Sequence, residues 1–151
     1  MAREESRRIA TQLERAVNGP AWHGPSVREA VRGVSAAKAA ARPLPKGHSI
    51  WELVLHATAW LEIVRKRVEG TPPSVTPAMN WPKAGRQSAA EWRRAVLALT
   101  HATARLGRTI RSLDDRRLGR HYLGLHGVVQ HTIYHAGQIA MLKKSVLKGR
   151  P

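Results

Sequence analysis

Apolar residues recur every three or four positions through four long stretches of the chain, and no stretch alternates strictly between apolar and polar. That periodicity predicts helices and no strand. The first helix spans about Arg3 to Val17, with Ile9, Leu13, Ala16 and Val17 on one face, and Asn18-Gly19-Pro20 stops it. A short helix is expected from Ser26, because Ser26-Val27-Arg28-Glu29 fits a capping box: the serine accepts from a free amide while the glutamate reaches back. Another helical turn or two runs from Ser35 to Ala41, closed by Arg42-Pro43-Leu44-Pro45. The second long helix opens on Ser49-Ile50-Trp51-Glu52, again a capping box, and continues to about Val68 before Gly70-Thr71-Pro72-Pro73. A loop rich in Pro, Ser and Thr extends to Gln87.

The third long helix opens with a third box, Ser88-Ala89-Ala90-Glu91. It carries Trp92, Val96, Leu99, Leu106 and Ile110 as its stripe and breaks at Asp114-Asp115. The fourth runs from about Leu123 to Leu147 and ends at Gly149, with Lys143, Lys144 and Lys148 complementing the helix dipole. Four long amphipathic helices in 151 residues predict a single all-α domain, a four-helix bundle. Its connections are long, with short extra helical turns between the first and second long helices.

Composition changes this picture in two places. Cysteine is absent, which removes disulfides, iron–sulfur clusters and cysteine nucleophiles, so any metal must be held by nitrogen or oxygen. Lys and Arg number 26 against 10 Asp and Glu, a formal charge of +16. Such a field attracts nucleic acid, anionic surfaces or acidic small molecules. The cations are spread through nearly every segment, however, which favours a generally basic surface over a dedicated nucleic-acid groove. No apolar leader follows the charged N-terminus, and no apolar run is long enough to span a membrane; the expectation is a cytoplasmic protein.

The candidate chemistry lies in the eight histidines. His131 and His135, four residues apart on the fourth helix, share one face and can chelate one ion. His56 sits on the second long helix between Leu53 and Trp60, in line with Ile63, and so falls on the inward stripe. Polar rings on inward stripes of two helices need partners. Either each ring finds its own hydrogen bond, or one divalent metal satisfies all three. Three imidazoles suit zinc best among the candidates, with nickel and iron as alternatives, and leave a coordination position open. Tyr134, Gln138 and Trp60 are candidates to support these rings from behind. The other five histidines are weaker candidates, and of these His126 is the one within reach of the cluster by position. Glu52 and Glu62 are not evident general bases.

The stretch His126-Gly127-Val128-Val129-Gln130-His131-Thr132-Ile133-Tyr134-His135-Ala136-Gly137-Gln138-Ile139 resembles the signature of the DinB/YfiT-like superfamily of metalloenzymes. Gly47-His48-Ser49-Ile50-Trp51-Glu52-Leu53-Val54-Leu55-His56-Ala57-Thr58-Ala59-Trp60 is similar to that family's second-helix motif, and Ala21-Trp22-His23-Gly24-Pro25-Ser26 to a further part of it. The resemblance implies a four-helix bundle, often a homodimer, with a three-histidine metal site carried onto His56, His131 and His135. It also implies relatives that are transferases and isomerases using low-molecular-weight thiols. The strong positive charge departs from the family pattern and leaves an anionic substrate open. Two functions follow as expectations: a metal-dependent transferase or hydrolase acting on a small molecule, or a basic nucleic-acid-binding or stress-response module in which the metal is only structural.

Overall fold

The computed structural model describes residues 2–148 of the chain, and among them all regular structure is helical apart from an isolated bridge between Ala21 and Gly24. The helices are α1 (Ala2–Asn18), α2 (Val27–Val31), α3 (Ala36–Ala40), α4 (Ile50–Val68), α5 (Pro77–Asn80), α6 (Ala89–Arg111) and α7 (Asp115–Lys148). The expected end at Gly149 lies outside the described residues.

Helix starts follow the chemistry of their caps. Ser26 and Ser49 each accept from the backbone of the third helical residue, while Glu29 and Glu52 accept from the serine N–H groups at 2.8 Å, so both boxes close reciprocally. Ser88 caps α6 in one direction only. Its own N–H already donates to the Arg86 carbonyl at 2.8 Å, and Glu91 turns outward to Arg94 instead. At the far end of α1, Gly19 takes φ +84° and donates to the Arg15 carbonyl at 2.9 Å, the left-handed terminus that glycine makes easy.

Two boundaries differ from the periodicity. The helix α7 begins at Asp115, not near Leu123. Asp114 caps it through the Arg117 N–H at 2.8 Å, and the buried Leu118 and Leu125 carry the apolar stripe across Gly119 and Gly124, whose low helix propensity hid the first two turns. Arg117 also donates to the Val68 carbonyl at 2.9 Å, tying the start of α7 to the end of α4. Secondly, the Pro-rich connection contains α5, started by Thr76 accepting from the Met79 N–H and by Pro77 in the first turn.

The long helices enclose one core. α1 and α4 each pack against both α6 and α7. Fully buried Ile9 and Leu13, Trp51 and Leu61, Leu99 and Leu106, and Leu125 and Ile139 supply it from the four sides. Trp92 is anchored by its indole N–H to the Val34 carbonyl at 2.8 Å, holding the α2–α3 corner against α6. Among the described residues no helix is long and apolar enough to cross a membrane.

Candidate metal centre

The inward stripe of α4 runs Leu53, His56, Ile63, and that of α7 runs Val128, His135, Leu142; burial of the flanking apolar residues forces the imidazoles to the seam between the two helices. His56 and His135 are buried, and His131 is half-buried. Their ring nitrogens converge. His131 Nε2 lies 2.9 Å from His56 Nε2 and 3.0 Å from His135 Nε2, and one nitrogen from each ring fits within 4.8 Å of the others.

The outer nitrogens fix the protons. His56 Nδ1 stands 2.5 Å from the Asn80 carbonyl, an oxygen that can only accept, so Nδ1 carries the hydrogen and Nε2 presents a lone pair to the cluster. His135 Nδ1 stands 2.6 Å from Gln138 Oε1 and donates in the same way, freeing its Nε2. Two lone pairs therefore face His131 Nε2. If that nitrogen carries the ring's proton it must divide it between two acceptors; if it does not, three lone pairs meet. A cation satisfies every one of them, which is how these residues fit a metal. Among the described residues His131 Nδ1 has no hydrogen-bond partner. Burial pushes all three imidazoles below their ordinary range, His131 furthest, down to about 4, with the neighbouring rings adding to it. The site is thus a set of neutral nitrogen donors near pH 7.

Each supporting residue has a definite place. Gln138 holds His135. Trp60 supports the cluster in two ways: its ring stands beside His131 and edge-on to His56, with centroids 5.8 and 6.4 Å apart, and its indole N–H donates to Asn80 Oδ1 at 2.9 Å, which steadies the residue whose carbonyl orients His56. Tyr134 is exposed, its ring centroid 5.3 Å from that of His135, at the edge of the site and not behind it. His126 does not join the cluster; it lies within α7 beside Tyr122, with ring centroids 4.4 Å apart. Glu52 is committed to Ser49 and Arg42, with His48 Nδ1 3.9 Å away, and Glu62 to Arg65 and Arg105, so neither is paired with a histidine of the triad.

Three residues here escape sequence reasoning. Asn80 contributes through its backbone. Trp81 stacks on His56, with centroids 3.8 Å apart and planes at 11°, and also on His48, at 3.5 Å and 9°. The only sequence signal for this sandwich is the tryptophan itself, standing in an otherwise polar connection. Beside it opens a cavity of about 640 Å³, walled by Leu53, Trp81, His135, Gln138, Met141 and their neighbours.

A family model of the DinB superfamily matches residues 22–139. The chain belongs to the DinB superfamily. No curated protein and no solved structure matches it significantly. The span that carries DinB membership includes all three converging histidines, together with Trp60, Asn80, Trp81, Tyr134 and Gln138.

Proposed function

We propose that this DinB-superfamily protein is a metal-dependent enzyme in which His56, His131 and His135 hold one divalent ion, zinc in preference to nickel or iron, within a four-helix bundle. One observation carries the reading: two Nε2 lone pairs, each fixed by a hydrogen bond at the opposite side of its ring, face a third imidazole nitrogen at 2.9 and 3.0 Å. Bound there, such an ion supplies Lewis acidity to an oxygen or sulfur nucleophile, with a position left open by only three protein ligands. The chain's own groups do the rest. Asn80 and Gln138 keep the imidazoles in the donor tautomer, and Trp81 and Trp60 wall the cluster from bulk water. His48, at the cavity wall, is among the described residues the one histidine of that wall outside the triad. The absence of a facing carboxylate favours transfer to or from a small molecule, including a low-molecular-weight thiol, over hydrolysis by a carboxylate base.

The test is elemental analysis of the purified full chain and of His131→Ala. The wild type is expected to hold about one equivalent of metal and the variant almost none. Full metal content in His131→Ala, with the fold intact by circular dichroism, would remove the assignment.

A further inference from the structure

The chain carries 26 Lys and Arg residues, yet among the described residues no Lys, Arg, Asp or Glu lines the cavity beside His135. Among the described residues its strongly polar side chains are His48, His135 and Gln138, and all three are already engaged: His135 and Gln138 with each other, and His48 stacked on Trp81. The remaining wall is apolar. Large apolar residues that proteins normally bury gather at its rim, with Leu44 59%, Tyr134 64% and Met141 67% exposed. An exposed apolar cluster around a concavity marks a binding surface, and about 640 Å³ is the size of a small-molecule site. Trp81 adds shape. Both of its faces hold flat rings in near-parallel stacks, and the outer one, His48, is substantially solvent-exposed, so a planar ligand ring can compete for that face.

We infer that this cavity takes an uncharged molecule with a flat apolar ring, and that Trp81 and Met141 determine that specificity. An anion entering it would leave the cations of the surface for a wall whose side chains offer no counter-charge, so that only an ion held at the histidines could balance it. The long-range field of +16 therefore does not describe the ligand of this site. The inference rests on the proposed function only in treating the occupant as a substrate; the cavity's selectivity can be measured separately.

The experiment uses a matched pair of fluorescent probes on the full chain, N-phenyl-1-naphthylamine and its sulfonated analogue 8-anilinonaphthalene-1-sulfonate. The neutral probe is expected to bind with a stoichiometry of about one. The sulfonate, measured by its competition with the neutral probe so that binding to surface arginines is not counted, is expected to be weaker by about tenfold or more. Met141→Glu, a change at an exposed position, is expected to weaken the neutral probe by about tenfold while metal content stays that of wild type. A sulfonate that competes as well as the neutral probe binds overturns the inference. So does neutral-probe binding unmoved by both Met141→Glu and Leu44→Glu, including the case in which Met141→Glu instead turns a dimer into a monomer by sedimentation, since the rim would then be covered by a second copy. Absence of metal from wild type would defeat the proposed centre and leave the probe result standing.

Discussion

Gln138 accepts from His135 Nδ1 at 2.6 Å, and that one contact decides which nitrogen of the ring faces the cluster. Gln138→Leu keeps the volume and removes the acceptor. Zinc affinity, measured by competition with a chelator, is expected to fall about ten- to a hundredfold with the fold intact. A variant that binds as tightly as wild type would show that packing alone orients the ring. At this scale the sequence is readable where a side chain breaks a pattern. His56, His131 and His135 are conspicuous because polar rings occupy apolar stripes. Asn80 is not, because it acts through a carbonyl that every residue possesses, and no side-chain pattern marks a backbone oxygen. Trp81 and His48 lie outside the helical periodicity, so the stack they make with His56 becomes visible only once the connection folds back over α4.

The elements are governed by their ends. Glu29 is held below the usual carboxylate range, first by the Ser26 backbone N–H and then by the Ser26 hydroxyl. A carboxyl depressed in the folded state contributes stability that is present above its unfolded value of 4.5 and is lost as pH falls through the folded one. Glu29→Gln, which keeps an acceptor but not the charge, is therefore expected to be less stable than wild type at neutral pH. The gap should close in urea melts below about pH 4. A gap that persists unchanged in acid would point to packing and not charge. At the end of α1, an added Cβ on Gly19 would lie 2.8 Å from Glu29 Oε2, in a backbone conformation with φ +84°. Gly19→Ala is expected to lower unfolding free energy by about 1–2 kcal/mol. The sequence read capped starts and glycine stops well, since both are local. It failed where local preference and tertiary packing disagree: Gly119 and Gly124 argue against helix, but burial of Leu118 and Leu125 on the core wins.

For the whole molecule, the opposed quantities are the core and the charge. Leu99 and Leu106 are fully buried on α6, which contacts both α1 and α4, so Leu99→Ala or Leu106→Ala is expected to cost about 2–5 kcal/mol in chemical denaturation. Exposed ion pairs such as Glu4–Arg8 contribute little, about 0–1 kcal/mol each, against the mutual repulsion of a +16 surface. Raising salt from about 10 to 150 mM shortens the Debye length from about 30 to 8 Å and is expected to raise the melting temperature. A fall would mean that the pairs outweigh the repulsion. The charge total is plain from composition, but the uncharged cavity is not, because it is assembled from α4, α7 and two connections that lie far apart in the chain. The same distance gives the three histidines a place in time. His56 and His131 are separated by 75 residues, and α5, α6 and the first half of α7 all lie between them. Contacts so remote must close a long loop, at an entropic cost, before they form. During synthesis α5, α6 and the stretch of α7 through His135 must leave the ribosome before the nitrogens can meet, so the joined donors are offered to an ion only then.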